Sequence, residues 1–154
     1  MRIAVPDIEY LFEMSSFAND YFEWKKEYFL NNSIYDVDVD QLTQVDYFMR
    51  EAATTKGRFY ENRVDELVIE NFNGLFDDYA KTIENINSGL RFRESYTGNH
   101  ITPWDYSMLK VLGNNLGFSR VIRNKYQGSV SAAMQGPLFD LTAPLMTLYC
   151  DLIK

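Results

Sequence analysis

Apolar residues recur at intervals of three and four along most of this chain, and this spacing constrains the fold more than any other feature of the sequence. Val45, Met49 and Ala52 show it most clearly, since such intervals place side chains on one face of a helix. Asp46 and Glu51 fall off that face, so we predict an amphipathic helix here. Almost no segment alternates with the period of two that a half-buried strand requires. The sequence therefore predicts an all-α fold.

The other predicted helices follow from the same spacing. They cover 8–29, 59–69, 75–86, a fifth segment that opens at Thr102-Pro103-Trp104-Asp105, and a last apolar run over 130–152. Thr102 is the expected N-cap of the fifth helix, and Pro103 suits its first position because proline lacks the amide hydrogen. Few charges follow in that helix, so we expect the other helices to surround it. We predict a single domain over 1–154, a helical bundle with a central apolar helix or hairpin wrapped by amphipathic helices.

Charge and composition exclude several classes of partner. The formal net charge is -7, and the 15 basic residues are scattered among acidic ones, which argues against nucleic acid as a partner. Asp140, Pro144 and Asp151 interrupt the last apolar run, so it is a poor candidate for a direct membrane span. Cys150 is the single cysteine, which indicates a reducing compartment, and we expect it to be a small core residue.

The inventory of reactive residues does not favour catalysis. His100 is the only histidine, and in its polar surroundings we expect it to be solvated. The sequence shows no Cys–His pair, no metal-ligand cluster and no glycine loop that could cradle a phosphate. We therefore predict that the protein is not an enzyme and needs no metal or cofactor.

Two segments resemble motifs of one known family. Residues 45–52 read V-x-x-x-M-R-E-A and are followed by Tyr60, which resembles the third homology segment of the B-cell lymphoma 2 (Bcl-2) family of apoptosis regulators. Trp104 opens an apolar helix with Asp105, Tyr106 and, further on, Gly113, and is similar to the first homology motif of that family. The run 138–152 looks like the helix that pairs with it.

The resemblance implies a Bcl-2-like helical bundle and a function without chemistry. A pro-survival member sequesters the amphipathic death-motif helix of pro-apoptotic proteins in a hydrophobic groove. The groove residues that the resemblance implies here are Val45, Met49, Ala52, Leu75, Tyr79, Ile83, Met108 and Leu112. Trp104 would anchor the start of the fifth helix. Such a protein would act in the cytoplasm or at the mitochondrial outer membrane of a host cell.

The chain also departs from the family pattern. Ala53-Thr54 stand where the third motif has Gly-Asp, so this segment would serve as groove wall and not as an exposed death ligand. The arginine of the first motif, which pairs with an aspartate of the ligand, is missing. Arg50, Arg91, Arg93 and Lys110 are the candidates to replace it. Loss of motif residues while the helical scaffold is kept is typical of viral members of the family, so we expect a viral origin.

Three alternatives remain open at this point. The first is a viral inhibitor of innate immune signalling that uses the same bundle as a dimerisation surface, which the missing arginine favours. The second is a pore-forming, pro-death member, which Ala53-Thr54 disfavours. The third is an enzyme, which the residue inventory disfavours.

Overall fold

The structure is a computed structural model that describes residues 1–17, 19–32, 39–53, 78–88, 100, 102–140 and 145–154. Its helices are α1 (Ile8–Phe17), α2 (Asn19–Asn32), α3 (Gln44–Ala53), α4 (Tyr79–Asn87) and α5 (Tyr106–Asn115). Its strands are β1 (Arg2–Pro6), β2 (Arg120–Asn124) and β3 (Thr147–Ile153). Short 3₁₀ helices cover Val39–Gln41 and Ala132–Met134. The helix predicted over 59–69 lies outside the described residues.

The prediction of an all-α, Bcl-2-like bundle is wrong, because the described residues also contain a three-stranded antiparallel sheet. Its strand order is β1-β3-β2, so the central strand is β3, which ends the run predicted as the last helix. Along β3, the side chains of Leu148, Cys150 and Leu152 alternate with those of Tyr149 and Asp151, and all five are buried. A central strand that is buried on both faces reads as one apolar run, which spacing alone cannot distinguish from a buried helix.

The start of α5 also differs from the prediction. Within the segment 8–29, which was predicted as one long helix, the structure describes α1 and α2, and residue 18 between them lies outside the described residues. Asp105, and not Thr102, is the N-cap of α5, since its carboxylate accepts a hydrogen bond of 2.7 Å from the Met108 amide. The carboxylate of Asp78 caps α4 in the same way by accepting from the Lys81 amide. An aspartate at this position satisfies an amide that the helix itself leaves without a partner.

The chain divides into two compact units. Unit 1 consists of Met1–Asp7 and Trp104–Lys154, and unit 2 consists of Ile8–Pro103. Unit 1 therefore joins the two ends of the chain, because β1 pairs with β3 over five residue pairs. The single domain expected over 1–154 stays a prediction.

Unit 1 has an apolar core between α5 and one face of the sheet. Its buried members are Leu109, Val121, Leu148, Cys150 and Leu152. Cys150 is fully buried there, which confirms the prediction of a core cysteine, and this burial raises the pKa of its thiol to about 11. A thiol with so high a pKa remains protonated near neutral pH and is a poor nucleophile.

A polar network occupies the other face of the sheet in unit 1. The Arg2 guanidinium donates two hydrogen bonds to Asp140, of 2.6 and 3.0 Å, and one of 3.1 Å to Asp151. Asp151 also accepts from the Ser129 hydroxyl and from the Val130 amide, both at 2.7 Å. All three charged side chains are nearly inaccessible to solvent. The network thus attaches the segment 125–140 to β1 and β3 through charge-assisted bonds.

Unit 2 has a core rich in aromatic rings. The Phe29 ring of α2 stacks on the Tyr47 ring of α3 with 5.4 Å between centroids, and Leu42 completes this cluster. The Phe12 ring of α1 contacts Phe48 edge to face, with 6.2 Å between centroids. Stacked and edge-to-face rings bury large area in favourable electrostatic geometry, so aromatic contacts join the first three helices.

The close approach of α5 to β2 generates a prediction about Gly113. A Cβ at this position would lie 2.5 Å from Cγ2 of Val121, whose branched side chain has little freedom to move. We expect Gly113→Ala to lower the free energy of unfolding by about 1 kcal/mol, because overpacking costs ~1–3 kcal/mol and better helix propensity returns ~1 kcal/mol.

The matched test introduces the same alanine into a Val121→Ala background, where the obstructing methyl groups are gone. There, Gly113→Ala should instead stabilise the protein, and urea titrations of the four variants measure both effects. An equal effect of Gly113→Ala in the two backgrounds would contradict the assigned contact.

Candidate functional site

The helix predicted at the resemblance to the third homology segment is present, but most of its residues are buried on all sides. α3 covers Gln44–Ala53, and of the three predicted groove residues in it, Met49 and Ala52 are buried and Val45 is half-buried. Met49 is only 1% exposed. Asp46 and Glu51, which fall off the apolar face and led us to predict an amphipathic helix, are also buried. Met49 and Ala52 therefore belong to the core of unit 2.

The predicted groove residues on α4 are also in contact with unit 2. Ile83 is buried, and the half-buried Tyr79 ring contacts the Phe12 ring edge to face at 5.2 Å between centroids. Leu75 lies outside the described residues. Thus the described groove residues of α3 and α4 are mostly packed within their own unit, whereas Met108 and Leu112 belong to unit 1.

On α5 the two predicted groove residues belong to an accessible apolar stripe. Met108 is half-buried, Leu112 is 36% exposed, and Leu116 immediately after the helix is 59% exposed. Their spacing of four places them along one flank of α5. Leu109 and Gly113 face the sheet and are buried. We call Met108, Leu112 and Leu116 the α5 stripe. Leu116 was not among the predicted site residues, although its spacing from Leu112 could have identified it.

The residues that resemble the first homology motif have structural positions in unit 1. Trp104 packs against the apolar core and pairs with Asp7 in an isolated β-bridge. Asp105 caps α5, and the Tyr106 hydroxyl donates a hydrogen bond of 2.9 Å to the Val121 carbonyl. Gly113 allows the close approach to β2. All four residues help to hold α5 on the sheet.

Unit 2 contains a cluster of charged side chains that the sequence analysis missed. The Glu51 carboxylate lies 3.2 Å from Lys25 Nζ and 3.6 Å from His100 Nδ1, and it also pairs with Arg50. The side chains of Lys25 and Glu51 are 5% and 4% exposed. The His100 side chain, which was expected to be solvated, is 38% exposed, and its Nδ1 also lies 2.9 Å from the Glu51 carbonyl oxygen.

The protonation of this cluster follows from burial and from charge. Burial lowers the pKa of Lys25 and outweighs the attraction of Glu51. Burial by itself would raise the pKa of Glu51, but the charges of Lys25, Arg50 and His100 bring it below the ordinary value of 4.5. Glu51 is therefore ionised near neutral pH and compensates the buried ammonium group. The Lys25 ammonium also lies 5.5 Å from the Phe29 ring centroid. Lys25 and Glu51 therefore form a buried structural ion pair, and the Phe29 ring adds a cation–π contact to the ammonium group.

Neither a metal site nor a spanning helix is found in the part of the chain that the structure describes. No group of three or more His, Cys, Asp or Glu side chains there could hold a metal ion. None of the described helices is both long enough and apolar enough to cross a bilayer. No family model, curated protein or solved structure matches this chain.

The buried pair generates a prediction about stability. Glu51→Gln leaves the Lys25 ammonium buried without its main counter-charge, so we expect the free energy of unfolding to fall by roughly 3–5 kcal/mol. Since the folded state lowers the pKa of Glu51, its stabilising effect is present above about pH 4.5 and disappears as the pH falls through the lower folded-state pKa.

Urea titrations between pH 7 and pH 3 measure this effect, and Glu84→Gln is the matched control because Glu84 is exposed on α4. The control should leave the free energy of unfolding nearly unchanged. A Glu51→Gln protein as stable as the control variant would show that the pair does not support unit 2.

Proposed function

We propose that this protein is a non-catalytic binding module whose ligand is an amphipathic helix of another protein. The observation that supports this proposal is the α5 stripe, where Leu112 and Leu116 are 36% and 59% exposed. Both are large apolar side chains on a flank of α5, which packs against the sheet through Leu109 and Gly113. An exposed apolar row on a rigidly supported element is typical of a protein interaction site.

The spacing of the stripe favours a helical ligand. Met108, Leu112 and Leu116 are four positions apart, and eight residues of helix rise about 12 Å. They form one straight ridge of the i, i+4 type, which packs into the groove between corresponding ridges of a second helix. A partner with apolar residues at intervals of three and four would match this ridge.

The energies show that the stripe cannot be the whole interface. Burying one leucine completely contributes ~1.5–3 kcal/mol, and Leu112 and Leu116 are only partly exposed before binding. Association costs at least ~4 kcal/mol in lost translational and rotational freedom. The partner helix must therefore make further contacts beside the stripe, and we expect micromolar affinity.

The specific form of the proposal is pro-survival activity, in which the ligand is the death-motif helix of a pro-apoptotic protein. It is supported only by the sequence resemblance at 45–52 and at Trp104, and it does not require an all-α bundle. Because Met49, Ala52 and Ile83 are buried in unit 2, we place the docking surface on the α5 stripe. Such activity would belong in the cytoplasm or at the mitochondrial outer membrane of a host cell.

A second candidate function, inhibition of innate immune signalling through a dimerisation surface, is favoured by a different observation. The chain segment that connects β2 to β3 carries four large apolar side chains that are 52–84% exposed, namely Val130, Leu138, Phe139 and Leu145. Two copies of the chain could cover such residues mutually in a symmetric dimer. Sedimentation equilibrium distinguishes the candidates, since this second one requires a dimer and no affinity for death-motif helices.

The α5 stripe generates a prediction for peptide binding. Leu112→Lys should weaken binding of death-motif peptides at least about tenfold, because it places a charge in the middle of the apolar row. Val111→Lys is the matched control, since Val111 is 61% exposed on the same helix but outside the stripe, and it should change affinity less than about twofold. Isothermal titration calorimetry with the full chain measures both.

Two results would contradict the proposed function. If none of the death-motif peptides binds at high micromolar concentration, while a dimer forms, the immune-signalling candidate replaces it. If peptides bind the Leu112→Lys and unmodified proteins equally well, the stripe is not the docking surface.

A further inference from the structure

Unit 1 contains an open groove on the flank of α5 away from the stripe. The groove has a volume of about 500 Å³ and lies between α5 and β2. Tyr106, Lys110 and Asn114 line it from α5, and Arg120 and Arg123 line it from β2. The spacing of four along α5 puts its three residues on one flank. Since none of them belongs to the α5 stripe, the groove is a second surface.

The charge of this groove is opposite to that of the whole chain. Three of its lining residues, Lys110, Arg120 and Arg123, are cations, although the formal net charge of the chain is -7. Arg123 is partly compensated, because its Nη2 lies 2.5 Å from an Asp7 carboxylate oxygen. Across the described ranges, neither Lys110 nor Arg120 has a carboxylate within 4.0 Å. The groove therefore offers uncompensated positive charge to an anionic ligand.

The groove also runs along a sheet edge with which no described residue pairs. Among the residues that the structure describes, the strand order is β1-β3-β2, so β2 has a neighbouring strand on one side only. Leu152 exchanges both main-chain hydrogen bonds with Met1, so its main-chain groups point towards β1. Val121 is opposite Leu152 in the register, which makes this a non-hydrogen-bonded pair of β2 and β3. The amide and carbonyl groups of Val121 and, two residues later, Arg123 therefore point to the open edge.

A side-chain contact confirms that the Val121 carbonyl points to the open edge, and the same contact occupies part of that edge. The Val121 carbonyl accepts the Tyr106 hydroxyl at 2.9 Å, so this oxygen does face away from β3. A carbonyl has two lone pairs and can accept a second hydrogen bond. The Val121 amide and the main-chain groups of Arg123 complete a short row of donors and acceptors along the groove.

We propose that this groove binds an extended, acidic segment of a partner protein, which adds as a fourth strand beside β2. Side chains of an added strand alternate between the two faces of the sheet. Carboxylates on the α5 face would meet Lys110 and Arg123, and carboxylates on the other face would meet Arg120. The segment should therefore carry adjacent acidic residues. Strand addition supplies affinity through main-chain hydrogen bonds, while the three cations supply selectivity and a faster encounter.

The experiment uses the full chain and a fluorescein-labelled peptide in which consecutive glutamates are flanked by valine and threonine. Fluorescence anisotropy should show saturable binding that weakens as salt is raised, because the charges are solvent-accessible. Replacing the glutamates by glutamine should weaken binding at least about tenfold. Methylating alternate peptide nitrogens, which removes the main-chain donors but not the charge, should weaken it to the same extent.

Protein variants locate the site. Arg120→Glu should weaken binding at least about tenfold. Lys81→Glu should change it less than about twofold, since Lys81 is exposed on α4 and does not line the groove. Both substitutions change the net charge by the same amount. Lys110→Gln is a milder variant that keeps the exposed helix position polar and should weaken binding severalfold, with circular dichroism verifying the fold. Leu112→Lys should leave acidic-peptide binding intact, which separates this groove from the α5 stripe.

Each remaining outcome overturns the inference. Absence of binding at millimolar peptide excludes the groove as a peptide site. Equal binding of the N-methylated peptide shows an anion site without strand addition. Equal losses for Arg120→Glu and Lys81→Glu show an effect of net charge alone.

Discussion

The contact of Arg2 with Asp140 and Asp151 is the constraint on which unit 1 depends. One guanidinium joins the first strand, the last strand and the segment that covers the sheet, with bonds of 2.6 to 3.1 Å. Its ring contact with Tyr149, 5.4 Å to the centroid, adds a second interaction on the same strand. With this face closed by charge-assisted bonds, the other face is left to the apolar core and α5. Both surfaces proposed for binding lie on that helix, so their geometry is fixed by a contact on the far side of the sheet.

The sequence allowed the helices to be predicted better than the sheet. α3 and α5 were anticipated because their apolar residues keep a spacing of three and four over ten residues each. β1 and β2 are five residues each, too short for an alternation to stand out. β3 combines apolar residues on one face with Tyr149 and Asp151 on the other, and all of them are buried. The buried Asp151 carboxylate is compensated by Arg2, Ser129 and Val130, all of them distant in the chain, and no local pattern contains that information.

The same limit explains how far the surroundings of the candidate site residues could be predicted from the sequence. Spacing showed that Met49 and Ala52 share a helix face with Val45, but it could not show that unit 2 covers that face. It grouped Met108 with Leu112, and the structure leaves this flank of α5 partly open and extends it to Leu116. Glu51 was predicted to lie off the apolar face of an amphipathic helix, but it is buried, because Lys25 and His100 from distant positions compensate its charge. The spacing of apolar residues predicts which residues share a helix face, but contacts between residues far apart in the chain determine whether that face is buried.

Building one unit from both chain ends has a consequence for biosynthesis. Arg2 and Asp151 are 149 positions apart, so at ribosomal rates of ~5–20 residues per second the first strand emerges roughly 7 to 30 seconds before its partner. Until β3 emerges, β1 is unpaired and the Arg2 guanidinium is not neutralised, whereas the described helices of unit 2 leave the ribosome during that interval. A chaperone that shields β1, or a delay in translation before β3 is made, would therefore affect the yield of unit 1 more than that of unit 2.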